Sequence, residues 1–153
     1  MYDLNEIVIA AGNEVCREME IIYERLLITS CWVNIGRPGV VHKEHAHPNN
    51  FLSVVFYVNV PVGGSSITFS DPRVQANVIV PRTRRVTPLT AKSVSLEAVT
   101  GRLLIFPAWL RHSVKANDSN ELRVSISYDL QFDNYTLSMA PAMFPGNFRY
   151  NRT

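Results

Sequence analysis

The 153-residue sequence contains only two cysteines, Cys16 and Cys31. A small secreted scaffold held by disulfides is dense in cysteine, so this fold must come from an apolar core, and a reducing cytoplasm is the expected location. Charge of one sign is also scarce. Against 15 Lys and Arg stand 13 Asp and Glu, a net charge of +2. That is too little to point to nucleic acid, whose binding rests on many phosphate contacts. No apolar run approaches the roughly 20 residues that span a bilayer, so no membrane partner is expected. The opening stretch MYDLNEIVIAAGNE is acidic and has no basic segment followed by an apolar one, so it does not read as a secretory leader.

What is present fits an ordinary globular chain: 46% hydrophobic and 18% charged residues, enough for one domain with a real core. Residues 1–153 are read as that single domain, with a helical N-terminal part over 1–30, a core over 31–132 and a tail over 133–153. Within the first part, Cys16, Met19, Ile22, Tyr23 and Leu26 recur at helical spacing behind a possible cap at Asn13, which predicts a helix over 13–28. Beyond residue 30, runs rich in β-branched and aromatic residues predict strands: SCWVNIG, FLSVVFYVNV, SSITFS, GRLLIFPAWLRHSV and ELRVSISYDLQF. Leu104, Phe106 and Trp109 are expected in the core. The excursion 73–98 reads as a loop with a short hairpin of ANVIVP against SVSLEAV, and the tail as coil over the barrel. A helix followed by six or more short antiparallel strands points to a mainly β sandwich or barrel with Greek-key or jelly-roll connections.

The chemistry concentrates in VHKEHAHPNN, which holds His42, His45 and His47. On a strand, residues two apart share a face roughly 6.5–7 Å apart, so His45 and His47 can converge on one metal ion. The remaining histidine, His112, is the candidate third ligand, and His42 reads as a loop residue. If KANDSN is a hairpin turn, His112 and Arg123 lie opposite one another and face the same space. An arginine beside a site of neutral imidazoles needs an anion, and a bidentate carboxylate is its natural partner.

The order and spacing of HAHPNNFLSVVFYVNVP, ITFSDPR, GRLLIFPAWLRHSV and LRVSIS resemble the 2-oxoglutarate/Fe(II)-dependent oxygenases, over about residues 31–132. The resemblance implies a double-stranded β-helix, a jelly-roll or cupin-like barrel with the N-terminal helix packed on it. It implies Fe(II), 2-oxoglutarate and O2, and an organic substrate it does not identify. By position, His45 and His112 match metal ligands, Arg123 and Ser125 the residues that take the far carboxylate of 2-oxoglutarate, and Tyr57 a tyrosine that commonly bonds it.

One position departs. The superfamily usually carries Asp or Glu where this chain has His47. Either His47 is itself a ligand, or Glu44 or Asp71 supplies the carboxylate. Two other functions stay open at this point: a three-histidine, cupin-like dioxygenase or isomerase that uses no 2-oxoglutarate, and a non-enzymatic jelly-roll binding module. In the plainer readings of single residues, Arg123 is a structural ion pair, Tyr57 and Trp32 are packing, and Arg82, Arg84 and Arg85 are a solvated loop.

Overall fold

The computed structural model describes residues 3–133, apart from 74, 76, 77 and 88, together with Tyr135. Its helix, α1, spans Leu4–Glu18, earlier than the 13–28 the apolar stripe suggests. Asp3 caps it and Glu6 completes a capping box, a stronger start signal than Asn13 because two orphan N–H groups are satisfied reciprocally. The helix ends where Glu20 adopts a left-handed φ of 54°. There Ile21 N–H donates to the Cys16 carbonyl and Glu20 N–H to that of Arg17, both at 3.0 Å, which closes off the last turn.

Leu26 and Ile28, predicted helical, begin strand β1 (Leu26–Gly36) instead. β2 (His42–His45), β3 (Leu52–Asn59), β4 (Ser66–Ser70), β5 (Ser93–Glu97), β6 (Leu103–Pro107), β7 (His112–Val114) and β8 (Arg123–Phe132) follow. They form two four-stranded antiparallel sheets, ordered β1-β8-β3-β6 and β2-β7-β4-β5. This is a jelly-roll fold, as expected. α1 lies on the outer face of the first sheet, so closely that a Cβ on Gly12 would come within 2.6 Å of Leu26 and 2.8 Å of Leu130.

Strand parity divides the interior. Leu52 and Val54 of β3, with Tyr128, Leu130 and Phe132 of β8, meet Val8 and Cys16 of the helix in one cluster. Burial of each such side chain contributes about 1.5–3 kcal/mol. The opposite parity faces the second sheet. There Val55 and Tyr57 of β3 meet Ile67 and Phe106. Both faces of β3 are thus covered, which is why FLSVVFYVNV reads as an almost unbroken apolar run.

Three expectations are corrected here. The KANDSN segment is not a hairpin turn. β7 pairs with β2 and β4, whereas β8 pairs with β1 and β3, so residues 115–122 cross between the sheets. Buried Asn117 holds that crossing, donating to the carbonyls of Gly36 at 2.9 Å and Glu121 at 2.7 Å. SVSLE pairs with β4, not with ANVIVP. Of the latter, Ala76 and Asn77 lie outside the described residues, and Val78–Pro81 is not strand. GRLLIFPAWLRHSV splits into β6 and β7 at a turn that leaves Trp109 60% exposed. The tail expectation falls on residues that, apart from Asp133 and Tyr135, lie outside those described. No helix among the described residues is long and apolar enough to cross a membrane.

Candidate metal centre

β2 and β7 set His45 directly opposite His112. Their ring centroids are 4.4 Å apart. His47 lies just past the end of β2, not on it, and its N–H donates to the Ala108 carbonyl at 2.9 Å. Its ring still reaches the pair, with centroids 5.2 Å from both His45 and His112. One ligand atom from each of the three lies within 4.8 Å of the others. With metal–nitrogen bonds of about 2.1 Å, three ligands around one ion are at most about 3.6 Å from one another. Side-chain shifts of up to roughly 0.7 Å therefore bring the set within bonding distance of one ion.

The hydrogen bonds on the outer edge of each ring support this fit. Nδ1 of His45 lies 2.7 Å from the Lys43 carbonyl, and Nδ1 of His112 lies 3.0 Å from that of Leu110. Nδ1 of His47 lies 3.0 Å from Asp129 Oδ1 and 3.2 Å from Oδ2. Each Nδ1 therefore faces an acceptor, which places the ring proton there and leaves Nε2 with the lone pair a metal uses. His112 is 4% exposed. Burial, foremost, pushes its pKa down to about 4, so it is a neutral imidazole at physiological pH.

The site opens into a cavity of about 70 Å³ between the sheets. Arg123, Ser125 and Ser127, on the inward parity of β8, form one wall, with Tyr57 opposite Ser125; Asp129 continues that parity behind His47. Arg123 is 3% exposed. Its Nη1 donates to Ser65 Oγ and to the Gly64 carbonyl, both neutral. It makes no ion pair among the described residues, which removes the plain reading of a structural salt bridge. Burial lowers its pKa and raises that of Tyr57. Gly36, its cross-strand partner in β1, makes room for it: a Cβ there would lie 3.1 Å from Nη2 and 3.3 Å from Cζ. His112 and Arg123 do line one cavity, as the sequence suggests, but from facing sheets and not from one hairpin.

Neither spare carboxylate joins the histidines. Glu44 accepts from Ser70 Oγ and from Arg111 Nε at 2.9 Å, and Asp71 pairs with Arg73 at 2.8 Å. The carboxylate that does touch the triad is Asp129, which sequence reasoning missed. Its signal was the β8 alternation, continued two steps past Ser125. His42 was missed as well. A register shift between His42 and His45 reverses parity, so a residue three away also lines the cavity. Trp32 lines it too and stacks on His47 with centroids 5.7 Å apart. Arg82, Arg84 and Arg85 are exposed.

Residues 30–129 match the family described as "Putative 2OG-Fe(II) oxygenase". No curated protein sequence matches the chain. Among solved structures, it is similar to an oxidoreductase of the 2OG-Fe(II) oxygenase family from Burkholderia pseudomallei, with 16% identity and a TM-score of 0.63 over 86% of this chain and 57% of that one. A Pseudomonas putida prolyl-4-hydroxylase shows 16% identity and a TM-score of 0.55 over 82% of this chain and 65% of that one. The alpha ketoglutarate dependent epimerase SnoN of nogalamycin biosynthesis shows 17% identity and 0.52 over 84% and 57%. The chain thus spans less than two thirds of the length of each.

Proposed function

Because the chain belongs to the 2OG-Fe(II) oxygenase family, we propose that it is an Fe(II)- and 2-oxoglutarate-dependent oxygenase acting on an organic substrate. His45, His47 and His112 hold the iron, and Arg123, with Ser125 and Tyr57, takes the far carboxylate of 2-oxoglutarate. The observation that carries this reading is one cavity joining three convergent histidines to a buried arginine that has no anionic partner among the described residues. When bound, Fe(II) and 2-oxoglutarate supply oxidative decarboxylation, in which one O2 oxygen enters succinate, CO2 leaves, and the other oxygen is inserted into a substrate C–H bond.

The protein's own part is geometric and electrostatic. The Nδ1 acceptors aim the three rings. Arg123 presents a fork whose remaining N–H groups match a carboxylate, and the apolar cluster of Val55, Ile67 and Phe106 keeps water from one side of the cavity. A single domain over 1–153 belongs to the same reading. So does a cytoplasmic location, supported by two unpaired cysteines. Neither membrane nor nucleic acid is a partner in it.

O2 consumption by the iron-loaded protein should require 2-oxoglutarate, with succinate formed in step. The all-imidazole triad favours one second reading, a three-histidine dioxygenase in which Arg123 binds the substrate's own carboxylate. O2 uptake indifferent to 2-oxoglutarate would select it. Absence of stoichiometric metal in elemental analysis would leave only a binding module.

Gly36→Ala tests the arginine pocket. The new Cβ presses on a guanidinium held on its other side by Ser65 and Gly64. A several-fold higher KM for 2-oxoglutarate is expected, with kcat and iron affinity close to wild type. An unchanged KM would show that the guanidinium position does not matter.

A further inference from the structure

His47 differs from the other two histidines in how it is held. His45 and His112 are on strands, and their Nδ1 atoms face backbone carbonyls two residues away. His47 sits beyond its strand, and its Nδ1 faces a side chain 82 residues away, on the opposite sheet. That side chain is Asp129, 5% exposed. It sits on β8, flanked by β1 and β3 within its sheet, so its position is fixed by pairing on both sides. Ser53, directly across on β3, donates to Oδ1 at 2.7 Å. No Lys or Arg among the described residues pairs with this carboxylate. A buried carboxylate needs partners, and the His47 ring supplies the one that Ser53 does not.

We propose that Asp129 is a positioning residue for the metal centre, accepting the Nδ1 proton of His47 and thereby fixing a loop-borne ring with Nε2 toward His45 and His112. Ser53 orients the carboxylate, and Trp32, stacked on the ring, limits its tilt. The negative charge of Asp129 makes the His47 imidazole a better donor to a cation. The inference rests on the metal reading of the triad but not on the use of 2-oxoglutarate.

Cobalt(II) is the probe, titrated into the full chain with absorption as readout. Asp129→Asn, nearly isosteric, should weaken Co(II) binding roughly 10- to 100-fold and alter the visible ligand-field bands. The decisive comparison is a double-mutant cycle. In a His47→Ala background, Asp129→Asn should cause no further loss, because its effect passes through that ring. An equal loss in both backgrounds marks a merely structural role and overturns the proposal, as does wild-type affinity in Asp129→Asn. If Asp129→Asn does not fold, Ser53→Ala carries the test. It should lower Co(II) affinity several-fold in wild type and not at all in His47→Ala, and no loss in wild type overturns the proposal. Failure of the wild-type chain to bind Co(II) stoichiometrically overturns the metal reading itself, and this inference with it.

Discussion

Replacing Arg123 with methionine should weaken 2-oxoglutarate binding by about 2–4 kcal/mol, roughly 30- to 700-fold, the range for truncating one partner of a buried charge pair. The side chain is 3% exposed, and its contacts within the protein are a hydroxyl and a carbonyl. A buried guanidinium without a counter-charge costs stability until an anion arrives. Methionine removes that cost, so the ligand-free variant should melt at or above the wild-type temperature. Opposite changes in ligand affinity and stability are the signature of a residue kept for binding. Unchanged affinity for 2-oxoglutarate in Arg123→Met, or a clear fall in melting temperature, would assign the arginine to the fold instead.

His45→Ala should lose about two decades in Fe(II) affinity. Four-ligand zinc sites bind with an apparent 10–16 kcal/mol, about 3 kcal/mol per ligand. His45 is the safest of the three to remove, because it is less buried than His112 and, unlike His47, leaves no buried carboxylate without its partner. Metal content after equilibrium dialysis checks the outcome. One equivalent of iron held by His45→Ala at wild-type affinity would place the ion elsewhere.

How far the sequence alone reveals this site varies residue by residue. His45 and His47 were legible because two positions of separation were enough to bring the rings together, even though β2 ends between them. His112 was found by elimination among four histidines. Arg123 was reached through a hairpin that does not exist. The chain crosses between sheets over 115–122, and the two residues line one cavity from facing sheets. Pairing arithmetic cannot tell a tight turn from a crossover, because both are short polar stretches. His42 reads as a loop residue in the sequence, yet it begins β2, and the register shift between it and His45, which depends on how β2 meets β7, lets both line the cavity.

The helix was misplaced for a related reason. The stripe from Cys16 to Leu26 continues past the true end, where Glu20 turns the chain. Its last members, Tyr23 and Leu26, are apolar because they pack in the layer beneath α1, and Leu26 already belongs to β1. Asp129 was the costliest omission. The sequence offers Glu44 and Asp71 as spare carboxylates, whereas the one that touches His47 comes from the last strand. Position 47 is thereby sharper than the sequence left it: an imidazole in the site, with a carboxylate directly behind it.

The central claim is that one cavity binds Fe(II) at the three histidines and 2-oxoglutarate at Arg123 at the same time. Anaerobic titration of the iron-loaded protein with 2-oxoglutarate tests it most directly. A visible charge-transfer band from the keto acid chelating the iron should appear and saturate at one equivalent, and in Arg123→Met it should need far more 2-oxoglutarate. Stoichiometric iron with no such band at any 2-oxoglutarate concentration would contradict the account.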